Sequence, residues 1–139
     1  MMPPPFTMLG LDHVVLRVVD LDRMLAFYRQ VLGCQDERTQ ADLGLFQLRA
    51  GRSLIDLVTI DGPLGAEGGA APGAEGRNVD HIAIAIAPFD EAAIRMHLTA
   101  HGIAVEQAGP RYGADGLGPS VYIRDPEGNV VELKGPANA

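Results

Sequence analysis

The sequence has little of what several classes of protein require. A single cysteine, Cys34, stands among 139 residues, which excludes an internal disulfide and a cysteine-based zinc knuckle. The formal net charge of −7 argues against nucleic acid or an anionic membrane as a partner. No apolar run approaches the length of a membrane span. We therefore expect a cytoplasmic protein, because a lone thiol suits a reducing compartment.

The N-terminus also lacks the features of a secretory signal. Residues 1–7 carry no basic region and no long apolar stretch, and their three prolines favour an extended conformation. We predict a flexible extension over 1–8, a single domain over 9–135 and a short tail over 136–139. A chain of this length is sufficient for one hydrophobic core without a disulfide or a structural metal.

What the sequence does contain is an internal repeat. Residues 12–19 and 80–87 each begin with an Asp-His pair that leads into an apolar strand, and the offset is 68 positions. The repeat returns His13 and His81 to the same place on the same kind of strand. Neutral imidazole is the commonest protein ligand for a transition metal, so the pair predicts a site with one histidine from each half.

Periodicity extends the repeat to two modules of the order β-α-β-β-β. Apolar spacing predicts a helix over 21–32, with Asp20 as N-cap and Gly33 just beyond its C-terminus. In the first module, strands are predicted over 12–19, 35–40, 44–50 and 53–60. In the second module, we predict a strand over 79–87, a helix over 90–101, a short strand near 103–107, a Gly-rich loop over 108–118 and a hairpin of 119–124 with 129–134.

The segment between the modules, 62–77, is rich in Gly and Ala and is predicted to be a linker or a mobile loop. It separates module one, 9–61, from module two, 78–135. The fold class that follows is α+β: two βαβββ modules in tandem, which form a cleft-shaped sheet with the helices outside.

Each module also places one carboxylate inside an apolar strand. Asp56 lies between Ile55 and Leu57, and Glu132 lies between Val131 and Leu133. A buried carboxylate is costly unless it is paired or bound to a cation. Two histidines and two carboxylates at repeat-related positions suit Zn²⁺, Ni²⁺, Mn²⁺ or Fe²⁺.

Each of these residues alone has a simpler interpretation. A lone strand histidine is usually a hydrogen-bonded core or edge residue, and a lone strand glutamate usually faces solvent. The coincidence of four positions favours the metal site. His97 and His101 also lie one helical turn apart, but no third ligand accompanies them in the sequence, which favours a solvated helix face.

At this point the sequence resembles the vicinal oxygen chelate superfamily, which includes glyoxalase I, bleomycin-resistance and fosfomycin-resistance proteins and extradiol dioxygenases. The segments that carry the resemblance are 11–18, 27–33, 79–83 and 122–133. They include the strand-opening histidines, the Phe-Tyr to Leu-Gly helix end, and Asp-Pro-Glu-Gly-Asn before Glu132-Leu133.

The resemblance implies a divalent metal held by His13, His81 and Glu132, in a glyoxalase I-like single-domain member. Asp56 falls where glyoxalase I enzymes carry glutamate, so it is expected to bind directly or through water. Members of this size commonly form homodimers. By that analogy His13 and Asp56 of one chain would face His81 and Glu132 of the other.

The implied activity is that of a lyase or isomerase. An enediolate or similar metal-chelated oxyanion forms on a small oxygen-rich substrate, with Glu132 or Asp56 as base. Two alternatives remain open: an Fe(II) dioxygenase-like enzyme, and a non-enzymatic protein that binds an antibiotic or another small molecule. Ser120 and Tyr122 match fosfomycin-resistance enzymes, whereas Val15 and Leu117 replace their Thr and Glu.

Five residues are candidates for contact with substrate. Arg17 and Lys134 share strand faces with His13 and Glu132, so they could steer an anionic substrate or form surface ion pairs. Arg111 and Tyr112 lie in the predicted 108–118 loop, which could close over a ligand or stay solvated. Ser120 enters through the resemblance alone.

Overall fold

The architecture, seen in a computed structural model that describes residues 2–139, is a pair of consecutive β-α-β-β-β modules. The first module comprises β1 (His13–Val18), α1 (Leu21–Ala26), β2 (Gln35–Gln40), β3 (Leu45–Ala50) and β4 (Ser53–Thr59). The second comprises β5 (Ile82–Ala85), α2 (Glu91–Ala100), β6 (Gln107–Gly113), β7 (Gly116–Arg124) and β8 (Val130–Lys134). No helix within 2–139 has the length and apolar composition needed to cross a membrane.

The two modules build two four-stranded sheets with the same strand order. The orders are β1-β4-β3-β2 and β5-β8-β7-β6. In each sheet the first strand pairs in parallel with the last, and the remaining pairs are antiparallel. This confirms the predicted fold class, and it leaves β1 and β5 as edge strands, each with one unpaired side.

The helices begin and end where the sequence predicts. The Asp20 side chain accepts a hydrogen bond from the Arg23 amide at 3.1 Å, and Gly33 takes the positive φ of 80° that suits a residue just after a helix. One detail differs from the prediction of a regular helix over 21–32. The segment Phe27–Val31 continues α1 as a π-helical turn.

One hydrophobic core serves both modules. It includes Met24 and Tyr28 from α1, Leu98 from α2 and Val121 from β7, all at most 1 % exposed. Since α1 and β7 come from different halves of the chain, neither module has a core of its own. Phe27 and Tyr28, on the apolar face of the predicted helix, are both buried.

The turn between β7 and β8 joins module two to module one. Asp125 accepts a hydrogen bond from the buried Tyr28 hydroxyl at 2.8 Å and others from its own turn. The Glu127 carboxylate accepts from the backbone amides of Val19 and Asp20 at 2.7–2.9 Å, just before α1. We call this arrangement the Asp125–Glu127 clamp. The Asp-Pro-Glu-Gly-Asn motif therefore connects the modules, a role that the motif alone did not indicate.

Two sequence predictions are wrong. The segment 103–106 is not a strand, and 108–118 belongs to a β-hairpin of β6 and β7 rather than a loop. Glycine and proline suggested a loop, but β6 is an edge strand, where Pro110 can stand without its missing N–H breaking a ladder. Gly116 and Gly118 have no side chain because the backbone of 136–139 passes directly beside them. Arg111 and Tyr112 consequently lie on a strand.

Candidate metal centre

The four predicted ligands lie on the side of each sheet that faces away from the core. Val14, Leu16 and Val18 of β1 pack on the core, so the alternating His13 and Val15 point to the other side, which we call the open face. In the second module the open face carries Ala83, Glu132 and Lys134, because Ile82, Val131 and Leu133 pack inward.

The register of the strands is the same in both modules. Val15 of β1 stands opposite Asp56 of β4, and Ala83 of β5 stands opposite Glu132 of β8. His13 and His81 each precede these positions by two residues. The sequence repeat is therefore also a structural repeat, with one histidine and one carboxylate on each open face.

Both histidines are oriented by the aspartate that precedes them. His13 Nδ1 lies 2.7 Å from Asp12 Oδ1, and His81 Nδ1 lies 2.7 Å from Asp80 Oδ2. A carboxylate accepts, so Nδ1 carries the proton, and Nε2 is the atom of each ring left to face a metal. The hydrogen bond to Asp12 raises the pKa of His13, and the charge of Asp56 adds to the effect.

Glu132 is buried and well supplied with hydrogen bonds. The Ser120 hydroxyl donates to its Oε2 at 2.6 Å, and His81 Nε2 lies 3.1 Å from its Oε1. Burial acts to raise the pKa of this carboxyl group. The Ser120 hydrogen bond, the nearby Tyr122 hydroxyl and the proximity of His81 outweigh burial, so the net shift lowers the pKa of Glu132.

Asp56 is equally buried but has fewer partners. It is 3 % exposed, and Gln47 Nε2 donates to its Oδ2 at 3.1 Å. Its Oδ1 is buried without any hydrogen-bond partner in the described chain. A buried carboxylate oxygen with no partner costs about 1–3 kcal/mol. Such an atom calls for an explanation in function or in an absent ion.

These observations test whether a divalent metal fits. With a proton on Nδ1, His81 Nε2 and Glu132 Oε1 would bring two lone pairs within 3.1 Å, a contact that a proton or a cation must bridge. Two ligands of one first-row metal lie about 3 Å apart, given metal–ligand bonds of about 2.1 Å. The unpartnered Asp56 Oδ1 is a second available donor. The donor atoms present therefore suit a divalent metal.

One chain does not assemble the four ligands. Across residues 2–139, no group of three or more His, Cys, Asp or Glu side chains converges closely enough to hold a metal. His81 contacts Glu132 in module two, and Asp56 influences His13 in module one. Each module therefore brings together one histidine and one carboxylate.

The predicted substrate residues occupy varied positions. The Arg17 guanidinium donates to the backbone carbonyls of Gly65, Gly69 and Ala70, so it anchors part of the predicted linker. Lys134 Nζ lies 3.2–3.3 Å from the carbonyls of Gly116 and Gly135.

The remaining three substrate candidates lie on the β6–β7 hairpin. The Arg111 guanidinium lies 5.3 Å from the centre of the Tyr122 ring, in cation–π geometry. Tyr112 is 83 % exposed, and Ser120 is fully buried against Glu132. Arg111 and Ser120 therefore belong to the same open face as Glu132, whereas Tyr112 points away.

Three residues contact the ligands in a way that the sequence interpretation did not predict. Gln47 hydrogen-bonds Asp56, and Asp12 and Asp80 orient the histidines. The aspartates could have been found, since both precede a candidate histidine. Gln47 could have been found only by aligning β3 with β4 residue by residue.

His97 and His101 take no part in the centre. Their rings meet edge to face with 4.8 Å between centroids, and His97 Nε2 donates to the carbonyl of Val31 at 2.8 Å. His97 therefore ties α2 to the end of the first helix.

Comparison with known proteins identifies the class. The model of the Glyoxalase/Bleomycin resistance protein/Dioxygenase superfamily matches residues 10–133. The chain is 31 % identical over 125 residues to a probable lactoylglutathione lyase of Vibrio cholerae, across 87 % of this chain and 86 % of that protein. The chain belongs to the Glyoxalase/Bleomycin resistance protein/Dioxygenase superfamily.

Solved structures agree with this assignment. The lactoylglutathione lyase of Agrobacterium tumefaciens is 27 % identical with a TM-score of 0.62, and the match covers 96 % of each chain. A fosfomycin resistance protein of Listeria monocytogenes has a TM-score of 0.68 at 20 % identity, covering 92 % of this chain and 91 % of that one. The second likeness establishes the fold alone.

Proposed function

We propose that the protein is a divalent-metal-dependent enzyme with glyoxalase-like lyase or isomerase chemistry on a small oxygen-rich substrate. The observation that carries the proposal is the pair of buried carboxylates at the same register, each on an open face with a histidine. Membership of the superfamily and the similarity to lactoylglutathione lyases support it.

The complete centre belongs to a homodimer in this proposal. His13 and Asp56 of one protomer would meet the partner subunit's His81 and Glu132, because one chain leaves the two pairs apart. The edge strands β1 and β5 each have an unpaired side, and Leu9, Leu11, Val15 and Val79 expose apolar surface beside them. A second copy would cover this surface.

In this proposal the residues on the open face have different roles in the reaction. A metal held by His13, Asp56, His81 and Glu132 would supply Lewis-acid stabilisation of a developing oxyanion. Glu132, kept ionised by its hydrogen bonds, would remove the proton beside the substrate carbonyl. Ser120 would hold the Glu132 carboxylate in place. Arg111 and Lys134 on the same face would attract an anionic substrate group.

The first test is metal content and metal-dependent activity. Protein purified without an affinity tag or chelator should contain near-stoichiometric divalent metal, and added Ni²⁺, Zn²⁺ or Mn²⁺ should raise Tm. The metal-loaded protein should form a thioester from methylglyoxal and glutathione. Glu132→Gln should lower this rate by about 10²–10⁴-fold, the usual contribution of a general base. Less than a tenth of an equivalent of metal, with no rise in Tm, would refute the proposal.

An Fe(II) dioxygenase is the alternative that the superfamily description supports. In that case His13, His81 and Glu132 would form the ligand set and Asp56 would be dispensable. Oxygen uptake with a panel of catechols separates the two. Turnover of methylglyoxal and glutathione under anaerobic conditions would favour the lyase.

A further inference from the structure

We infer that Gln47 is a positioning residue that orients Asp56 so that only its Oδ1 is free to bind a metal. The inference rests on the proposed function, since it concerns one ligand of the proposed centre. It adds a residue that lies outside the ligand set and explains how the shorter of the two carboxylates is held.

The strand register supports a positioning role. Gln47 of β3 stands directly opposite Asp56 of β4, and Tyr122 of β7 stands directly opposite Glu132 of β8. Each carboxylate therefore has a polar side chain at the same neighbouring position. Gln47 is therefore the module-one counterpart of Tyr122.

The contacts divide the two oxygens of Asp56 into separate roles. Gln47 Nε2 donates to Oδ2 at 3.1 Å, whereas Oδ1 is buried and has no partner within residues 2–139. A carboxylate anchored through one oxygen presents the other in a fixed direction. Such outer contacts to a ligand typically contribute about 10–100-fold to metal affinity.

The side-chain lengths explain why one anchor is sufficient. Asp56 has one rotatable bond fewer than Glu132, so fixing a single oxygen leaves it little freedom. Glu132 is longer and is held by the Ser120 hydroxyl, which donates to its Oε2 at 2.6 Å. In module one the position equivalent to Ser120 is Leu45, which cannot donate, so Gln47 acts alone.

The experiment is Co²⁺ titration of the full-length protein, with Gln47→Met as the test variant. Methionine keeps the length of glutamine but cannot donate a hydrogen bond. We expect Kd for Co²⁺ to rise about 10–100-fold and the visible absorption of the bound Co²⁺ to change. Gln35→Met, at an exposed position on the adjacent β2, is the matched control and should leave both unchanged.

A double-mutant cycle separates positioning from a general structural effect. In an Asp56→Ala background, Gln47→Met should change Kd by less than about twofold, because its effect passes through Asp56. An equal loss in both backgrounds would overturn the inference. So would an unchanged Kd and spectrum in Gln47→Met. Gln47→Leu, which also lacks a donor, repeats the test if the methionine variant fails to fold.

The same titration distinguishes this inference from the proposed function. If the wild-type protein binds no Co²⁺, both are overturned. If the wild type binds tightly and the Gln47 variants bind equally well, only the role of Gln47 is overturned.

Discussion

The two modules have the same strand order and register but hold their carboxylates differently. Glu132 receives hydrogen bonds from Ser120 and lies against His81, whereas Asp56 has Gln47 and one unpartnered oxygen. The repeat therefore preserves the positions of the ligands and not their surroundings. In module two both oxygens of the carboxylate have a partner within the chain. In module one a carboxylate oxygen has none, so a partner from outside the described chain is needed to satisfy it.

The turns that precede the carboxylate strands differ in the same way. In module two the turn before β8 forms the Asp125–Glu127 clamp against module one. In module one the turn before β4 is the exposed pair Gly51-Arg52. The connection between modules is thus made by one turn and not by its counterpart. Substitutions at equivalent positions should have unequal effects.

The largest effect is expected from Asp125→Ala. It removes the acceptor for the buried Tyr28 hydroxyl and for three donors of the turn, so the free energy of unfolding should fall by about 4 kcal/mol. Arg52→Ala, at the counterpart turn, should change it by less than about 0.5 kcal/mol. Urea unfolding at neutral pH measures both. A loss below about 1 kcal/mol for Asp125→Ala would show that the clamp is dispensable.

The next effect tests the two carboxylates against each other in metal-free protein. Asp56→Leu removes an unpartnered buried oxygen and leaves only the half-buried Gln47 amide without its acceptor, so it should stabilise the protein by about 1 kcal/mol. Glu132→Met leaves the buried Ser120 hydroxyl without its acceptor and should destabilise it by about 2 kcal/mol.

Thermal unfolding in the presence of a chelator measures the stability of both variants. The two variants should shift Tm in opposite directions, by about 4 °C for each kcal/mol. Shifts of the same sign would mean that the two carboxylates are equally well satisfied without metal. Added metal should reverse the advantage of Asp56→Leu, because only the wild type then gains binding energy.

Much of this comparison could be predicted from the sequence, because its signals are local. The Asp-His repeat, the flanking of Asp56 and Glu132 by aliphatic residues, and the helix boundaries at Asp20 and Gly33 all follow from neighbours in the chain. The hairpin over 108–118 could not be predicted, since Pro110 reflects the edge position of β6, and Gly116 and Gly118 reflect a tail packed beside β7. Gln47 was missed because its role depends on cross-strand register.

A smaller effect is expected at the start of the two helices. Both helices have an aspartate cap, Asp20 and Asp90. The amides of Val19 and Asp20 before α1 also bind the Glu127 carboxylate, and α2 has no such partner from the other module within residues 2–139. Glu127→Ala should lower the free energy of unfolding by about 1 kcal/mol. Glu127→Gln, which still offers a carbonyl oxygen, should lose about half of that amount. Equal losses in urea unfolding would show that charge alone matters.

The positions that follow the two helices offer the last comparison. Cys34 follows Gly33, and Ile103 follows Gly102, and both amides bond back to the preceding helix at 2.8 Å. Cys34 is 8 % exposed, and burial raises the pKa of its thiol. The cysteine therefore occupies the place of an aliphatic residue, and its chemistry has no evident use there.

The smallest effect is accordingly expected for Cys34→Val, within about 1 kcal/mol of the wild type at pH 7. The pH dependence gives the sharper test. The pKa of the thiol is higher in the folded than in the unfolded chain, so its contribution to stability is complete below the unfolded value of about 8.5. That contribution is lost as pH rises through the folded value, because the unfolded thiol ionises first. Urea unfolding at pH 7 and pH 10 should therefore show the valine variant gaining relative to the wild type. A constant difference would mean that the thiol ionises as readily in the folded protein as in the unfolded chain.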